Sequence, residues 1–225
     1  NAIDKENPGN FKDDNGHGTH VSGTIAAVDN KIGVVGVAPE ATLYGVKVLD
    51  AGGGGTFSDV IAGMEWTVVN KMQVVNMSLG ASQGNESLKD AVEAMAKAGV
   101  VLIAAAGNSG GAVGYPAAYP QAIAIAALDS RDKVASFSSR GPEVDFIAPG
   151  VGVKSTYMGA GYDTLSGTSM ACPHAVGLAV LAIAAKGAGD AEEVRSLFKK
   201  AAIPLGNVPA EQQGAGIVDA ARLVR

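Results

Sequence analysis

The stretch Gly167-Thr168-Ser169-Met170-Ala171-Cys172-Pro173-His174 leads into an apolar run that ends at Ala185. Proline lacks a backbone N–H, so it is tolerated in a helix mainly within the first turn, where that group would have no partner. The proline therefore predicts that a helix over residues 168–186 begins at Thr168 or Ser169. The hydroxyl of Ser169 then lies at a helix N-terminus, where N–H groups point outward and the helix dipole favours negative charge.

Two other stretches carry side chains that would complete a nucleophilic site. Asn15-Gly16-His17-Gly18-Thr19-His20 places an imidazole at the predicted start of a helix, with a glycine on each side of His17. Ala105-Ala106-Gly107-Asn108-Ser109-Gly110 places an amide side chain where a predicted strand gives way to a loop. A serine, a histidine and a polarising amide are three parts of the machinery for acyl transfer.

Each of these residues also has an ordinary structural interpretation. A serine at a helix N-terminus is usually a cap, a lone histidine is usually structural or solvated, and Gly-Asn after a strand is a common turn. A zinc pair of His17 and His20 is excluded, because the helical metalloprotease motif needs histidines four residues apart with a glutamate between them. The nucleophile elbow of α/β-hydrolases is excluded too, because Ala171 stands where its second glycine is required.

The three stretches resemble the motifs of the subtilisin-like serine proteases in order, residue type and local context. The resemblance extends from Asn7-Pro8 to the closing segment 214–220. It implies one peptidase domain over residues 1–225 with a three-layer α/β fold. In that fold a mostly parallel central sheet carries helices on both faces.

The resemblance assigns a role to each reactive side chain. Ser169 is the implied nucleophile that forms an acyl-enzyme, and His17 is the implied general base and acid. Asn108 and the backbone N–H of Ser169 form the implied oxyanion hole. His20 and His174 match positions that the family uses structurally. The implied activity is that of a serine endopeptidase acting on peptide and protein substrates, with a broad, apolar-leaning specificity.

The acid of the expected triad has no counterpart in this sequence. No Asp-Thr-Gly or Asp-Ser-Gly follows an apolar strand ahead of His17. The resemblance therefore implies that a segment upstream of Asn1 supplies the acid, one strand of the sheet and calcium ligands, and that an inhibitory propeptide accompanies it. Without that segment we expect the chain not to fold alone into a stable, active enzyme. Asp13 and Asp14 are alternative acids, but acidic residues ahead of a glycine-rich turn usually form loops.

Two other functional hypotheses remain open at this point. A catalytically silent relative or fragment would bind peptides without cleaving them, and the missing acid favours this hypothesis. An esterase would use the same residues on small acyl esters rather than on proteins. The two hypotheses differ from the endopeptidase in what they predict for the hydrolysis of denatured protein.

The resemblance also implies binding residues away from the reactive groups. Two extended segments would flank a bound peptide and pair with it as strands. Gly114 and residues 105–107 would line the pocket for the residue before the scissile bond, and Tyr115-Pro116 is a candidate cis bond. A loop of carbonyl and amide oxygens would bind Ca²⁺, which prefers oxygen ligands, and a weaker cation site is implied near residues 117–122. The flanking segments are Gly53, Gly54, Gly55 and Ser78, Leu79, Gly80; the calcium loop comprises Val28, Asn30, Ile32 and Val34.

Composition and charge exclude several classes of partner. The formal net charge of −5, without a basic cluster, argues against nucleic acid or an anionic membrane. The apolar run at 175–185 is too short for a membrane span and favours a buried helix. The single cysteine, Cys172, permits no intrachain disulfide and does not indicate the compartment; the resemblance implies a secreted protein.

Short apolar runs alternate with amphipathic patterns along the chain. This alternation predicts parallel strands covered by helices on both faces. Asp190, with Glu193 three residues later, predicts the capped start of a further helix. The predicted strands are 41–49, 74–78, 100–106 and 122–127, and the predicted helices are 17–28, 57–70, 87–98 and 168–186.

Overall fold

The computed structural model describes residues 1–225 as seven helices and eight strands. The helices are α1 (His17–Ala26), α2 (Phe57–Val69), α3 (Glu86–Lys97), α4 (Thr168–Lys186), α5 (Ala191–Ala201), α6 (Ala210–Gln213) and α7 (Ala220–Val224). The strands are β1 (Val74–Met77), β2 (Val101–Ala105), β3 (Ile123–Leu128), β4 (Val144–Pro149), β5 (Val153–Tyr157), β6 (Gly161–Leu165), β7 (Ala202–Ile203) and β8 (Ile217–Val218).

Six strands form the central sheet, in the order β1-β2-β3-β4-β8-β7. All neighbours from β1 to β8 are parallel, and only the short β7 runs antiparallel to β8. Successive residues of β2 face opposite sides of the sheet. Val101 and Ile103 pack in the cluster that contains α1 and α4, whereas Leu102 and Ala104 pack in the cluster that contains α2 and α3. Helices cover both faces, so the predicted three-layer α/β architecture is confirmed.

The predicted helices form close to their predicted bounds. α4 has the predicted bounds, and at the start of α5 the Glu193 N–H donates to Asp190 Oδ1 at 2.9 Å. The predicted first helix was two residues too long. It ends at Ala26, because Ala27 leaves the helical conformation and Val28 is exposed.

The apolar helix α4 would qualify as a membrane span by length and composition alone. Most of its residues are buried, however, and contribute to the larger core cluster beneath the sheet. This confirms the prediction of a buried helix at this position.

The prediction of a strand over residues 41–49 is wrong. The backbone of residues 41–49 makes two hydrogen bonds. One closes a turn from the Ala41 N–H to the Ala38 carbonyl, and the other joins the Ala2 N–H to the Lys47 carbonyl at 2.9 Å. A strand is stabilised by pairing with a neighbour, and this segment has none. β1, the edge strand of the sheet, pairs only with β2 and lies across a groove from residues 41–49.

β5 and β6 form a separate antiparallel hairpin, paired from Val153↔Leu165 to Tyr157↔Gly161. The sequence analysis did not predict it, because most of its residues are polar and only half-buried. The hairpin packs against α1.

Candidate active site

Ser169 lies in the first turn of α4, as predicted, and is tied to the end of β1. Its hydroxyl donates to the Ser78 carbonyl at 3.1 Å, and the Ser78 hydroxyl donates to the Ser169 carbonyl at 2.8 Å. Pro173 explains the second bond. In a helix the N–H of residue 173 would donate to the carbonyl of residue 169, and proline has no N–H. The proline therefore lies beyond the first turn, unlike the prediction, and leaves the Ser169 carbonyl free for Ser78.

Asn108 follows β2 and is exposed. Its Oδ1 accepts from the Thr168 N–H at 2.8 Å and from the Thr168 hydroxyl at 3.0 Å. Both contacts hold the amide by its oxygen, so its NH₂ group stays free to donate. A Cβ built on Gly167 would lie 3.5 Å from Asn108 Nδ2 and 3.6 Å from the Ser169 nitrogen. The Asn108 amide and the Ser169 nitrogen therefore both lie within 4 Å of a point that the glycine leaves open.

Thr168 is a residue of this site whose role the sequence analysis missed. It is fully buried, and its hydroxyl also accepts from the Gly107 N–H at 3.1 Å. One side chain thus joins the loop after β2 to the start of α4. The threonine beside Ser169 was visible in the sequence, but its partners lie 60 residues away in the chain.

His17 begins α1 and is half-buried. Burial lowers its pKa, the charge of His20 lowers the pKa further, and Asp13 acts in the opposite direction. Its imidazole makes no hydrogen bond within the chain, and the Ser169 hydroxyl points to Ser78 instead. α1 packs against α4, which brings the base and the nucleophile onto neighbouring helices.

Neither Asp13 nor Asp14 acts as the missing acid in this structure. Asp13 accepts hydrogen bonds from the N–H groups of Asn15, Gly16 and Thr19 and from the Thr19 hydroxyl, so it caps the loop that enters α1. Partial burial raises the Asp13 pKa, but these bonds outweigh burial and lower it to about 2. Asp14 is half-exposed and pairs with Lys47. Both residues have the structural role expected of acids beside a turn.

The other two histidines and the cysteine are structural. His20 is fully buried and its Nε2 donates to the Val153 carbonyl at 3.0 Å. His174 donates from Nδ1 to the Met170 carbonyl at 2.9 Å. Burial raises the pKa of the Cys172 thiol to about 12, so it carries no thiolate at neutral pH.

The six predicted peptide-flanking residues form two unlike segments. The first contains a turn rather than a strand: the Gly54 carbonyl accepts from the Asp50 N–H at 2.7 Å, and Gly53 has φ +79°. Gly55 comes so close to the Val48 carbonyl that a Cβ would lie 2.4 Å from its oxygen. In the second segment Ser78 is buried, Leu79 half-buried and Gly80 exposed.

Gly114 lies between this second segment and the loop after β2. A Cβ there would lie 3.0 Å from the Ala81 carbonyl oxygen and 3.8 Å from that of Ala106. The adjoining Tyr115-Pro116 bond is cis, as the resemblance suggested. These contacts are compatible with the predicted pocket wall.

A groove of about 1920 Å³ separates β1 from residues 41–49. Exposed apolar side chains line it, among them Leu43 and Tyr44, which are 45% and 59% exposed. His17 and the edge of β1 contribute to the same groove. The outer edge of β1 and residues 42–49, whose backbone makes one hydrogen bond, to Ala2, thus face each other across the groove.

The predicted calcium loop projects from the end of α1. The carbonyls of Val28, Ile32 and Val34 accept no backbone hydrogen bond, and Asn30 Oδ1 accepts from the Ile32 N–H at 2.8 Å. These neutral oxygens fit Ca²⁺ in chemistry but fall short of its six to eight ligands. No group of three or more His, Cys, Asp or Glu side chains in the chain is arranged to hold a metal.

Comparison with known proteins shows which family the chain resembles over most of its length. The profile of the subtilase family matches residues 1–217. The alkaline elastase YaB of Bacillus sp. strain YaB is 46% identical over 217 residues, which are 96% of this chain and 57% of that protein. Subtilisin DY of Bacillus licheniformis is 48% identical over 200 residues, 87% of this chain and 73% of that protein. Subtilisin E of Bacillus subtilis strain 168 is 48% identical over 202 residues, 88% of this chain and 53% of that protein. The chain therefore spans little more than half the length of two of these three relatives.

Proposed function

Because the chain belongs to the subtilase family, we propose that it is the catalytic part of a serine endopeptidase. The Ser169 oxygen attacks the scissile carbonyl while His17 takes its proton and then gives it to the leaving amine. The oxygen of the tetrahedral intermediate accepts from Asn108 Nδ2 and the Ser169 N–H. Collapse gives an acyl-enzyme on Ser169, which water hydrolyses with His17 again as the base.

The observation that carries this proposal is the held amide of Asn108. A side chain that only closed a turn would not need its oxygen clamped by the fully buried Thr168. The clamp leaves the NH₂ group of the exposed Asn108 without a partner beside a helix N-terminus, where negative charge is favoured. The proposed substrates are peptides and proteins. We also propose an extracellular location for the enzyme.

A serine-directed fluorophosphonate tests the proposed nucleophile. The intact mass of the native preparation first establishes whether it contains an upstream segment. The reagent should then label this preparation at Ser169, and it should not label Ser169→Ala. Hydrolysis of denatured casein compared with that of a small acyl ester separates an endopeptidase from an esterase. Absence of labelling together with retained peptide binding would favour the catalytically silent alternative.

We further propose that an upstream segment fills the groove as an added strand between β1 and residues 41–49. Pairing would satisfy the free N–H and C=O groups on both sides, each of which costs about 1–3 kcal/mol if buried without a partner. It would also cover the apolar side chains of Leu43 and Tyr44. A carboxylate at the end of such a strand would reach the unpartnered imidazole of His17.

N-terminal sequencing and hydrogen exchange test the added strand. In the native preparation the amides of residues 42–49 should exchange slowly, whereas in residues 1–225 produced alone they should exchange fast; β1 is less informative because it already pairs with β2. A single species that starts at Asn1, lacks a companion peptide and still hydrolyses casein at ordinary protease rates would overturn this proposal. An inhibitory propeptide is a further proposed partner, and it would appear as a tightly bound or covalent precursor segment.

For calcium we propose a site that the same upstream segment completes. Val28, Asn30, Ile32 and Val34 would supply neutral oxygens, and Ca²⁺ would stiffen the loop after α1. Residues 1–225 alone should then bind Ca²⁺ weakly by calorimetry, and the complete protein should bind it tightly. Equal affinity in both would contradict the proposal.

A further inference from the structure

Three successive side chains of β5 donate hydrogen bonds to the segment that carries His17. The Tyr157 hydroxyl donates to the Asn15 carbonyl at 3.2 Å. The Thr156 hydroxyl donates to the Thr19 carbonyl at 2.9 Å, and the Ser155 hydroxyl donates to the His20 carbonyl at 2.7 Å. The three acceptors therefore extend from Asn15, the residue before the N-cap of α1, to His20 in its first turn.

These bonds are not needed to satisfy the helix. In an α-helix the carbonyls of residues 19 and 20 already accept from N–H groups four residues further on. The His20 carbonyl also accepts from the Thr24 hydroxyl at 3.2 Å. The hydroxyls of Ser155 and Thr156 therefore add contacts to acceptors that are already in use, and the Tyr157 hydroxyl binds the Asn15 carbonyl just before the helix. Their common effect is to hold α1 in place.

Two glycines of the α1 segment make room for these same side chains. A Cβ on Gly16, which has φ +102°, would lie 2.3 Å from the ring of Tyr157. A Cβ on Gly23 would lie 2.1 Å from the Thr156 hydroxyl oxygen. The glycine before His17 is thus required both by its backbone conformation and by the tyrosine that lies against it.

The position of α1 matters because the imidazole of His17 has no hydrogen bond of its own to orient it. We propose that Thr156 and Tyr157 are positioning residues for His17, which hold the start of α1 at the distance from α4 that proton transfer from Ser169 requires. This inference rests on the proposed peptidase function. Misplacement of a catalytic group by about 1 Å can cost about 10²-fold in rate.

The test removes one hydroxyl at a time and keeps the shape of each side chain. Thr156→Val and Tyr157→Phe in the complete native enzyme should each lower kcat about 10-fold for a small ester substrate and leave KM nearly unchanged. The matched controls are Thr164→Val and Tyr162→Phe on β6, whose hydroxyls make no hydrogen bond in the chain. Melting temperatures of all four variants separate a loss of position from a loss of fold.

A second measurement does not depend on turnover. In ¹⁵N-labelled protein the His17 imidazole should titrate closer to the ordinary histidine value in Thr156→Val and Tyr157→Phe, because a loosened helix start exposes the ring. Unchanged kcat and unchanged titration in both variants, or equal changes in the β6 controls, would overturn the inference. If the parent protein has no activity, the peptidase proposal fails, and the titration alone decides whether β5 positions His17.

Discussion

The two halves of the candidate site differ in how completely the chain builds them. On the nucleophile side, formed by α4, β2 and β3, both strands are buried on both faces. There Ser78 and Thr168 tie the start of α4 to the sheet through hydrogen bonds of 2.8–3.1 Å. On the base side, formed by α1, residues 41–49 and β1, the imidazole of His17 has no partner and the sheet edge is open.

The difference shows which parts of the chemistry are local to this chain. The oxyanion donors need only the loop after β2 and the first turn of α4, and buried side chains link these two pieces. A general base of this kind needs a carboxylate to orient it and to stabilise its charged form, and the two carboxylates nearest to His17 in the sequence, Asp13 and Asp14, are engaged elsewhere. On the proposed function, the nucleophile side is held by contacts within this chain, whereas the proposed upstream segment would supply the partner of His17.

The largest expected effect breaks the nucleophile side directly. Ser169→Ala should lower kcat of the complete enzyme about 10⁶-fold, a figure measured on a subtilisin. Peptide binding should persist, because the change removes one hydrogen bond to the Ser78 carbonyl, while the Ser78 hydroxyl can still donate to the carbonyl of residue 169. Ser87→Ala, on the exposed face of α3, is the control and should keep full activity. If Ser169→Ala kept a turnover within 10²-fold of the parent, its activation barrier would be at most about 3 kcal/mol higher. That result would contradict the assigned nucleophile.

The stability of the structure that supports the two sides should differ as sharply. Arg195 of α5 lies outside the nucleophile side but supports the segment that leads into β3. Arg195 is buried and donates to Asp145 at 3.0 Å and to the Pro120 and Ala122 carbonyls at 3.0 and 2.8 Å. Arg195→Ala would leave Asp145, whose pKa burial already raises, without its partner. The free energy of unfolding in urea should fall by about 3–5 kcal/mol.

On the base side the corresponding loss should be small. Asp14→Asn removes a pair with Lys47 in which the carboxylate is half-exposed, and exposed pairs contribute about 0–1 kcal/mol. The same urea titration measures both variants. Equal losses would mean that the base side is as tightly built as the nucleophile side.

The oxyanion hole offers a more selective test. Asn108→Leu should lower kcat about 10²–10³-fold, again a figure measured on a subtilisin, with little change in KM, because the donor acts on charge that develops only in the transition state. Thr168→Val should change kcat in the same direction, since it removes one of the two hydrogen bonds that hold Asn108 Oδ1 and leaves only the bond from the N–H of residue 168. A rise in KM at constant kcat would instead indicate that Asn108 binds the ground state.

The smallest effect concerns pH and the loop that enters α1. The folded pKa of Asp13 is about 2, below its ordinary value of 3.8. Its contribution to stability is therefore fully present above the ordinary value and is lost as the pH falls toward 2. Asp13→Asn should lower the melting temperature at neutral pH. It should also weaken the dependence of the melting temperature on pH between about 2 and 3.8. Asp14→Asn should leave that dependence unchanged.

Local sequence signals predicted much of the site, because they depend on a few neighbouring residues. The helix that begins at His17 and the cap at Asp190 each follow from patterns within a few turns. α4 also starts where predicted, although Pro173 does not lie in its first turn. The role of Pro173 was interpreted wrongly, because it depends on a residue that is distant in the sequence. Its missing N–H matters through Ser78, whose hydroxyl comes from a strand 91 residues away.

The failure at residues 41–49 has a different physical cause. The run is apolar enough for a strand, but a strand exists only where a neighbour pairs with it, and the chain places a groove there instead. The amino-acid sequence by itself determined the family motifs, the fold class and the identity of Ser169, His17 and Asn108 as candidates. Only the tertiary structure decided that Thr168 clamps Asn108, that β5 holds α1 and that the base side is open. These are contacts between distant segments, and no local pattern specifies which hydroxyl meets which carbonyl.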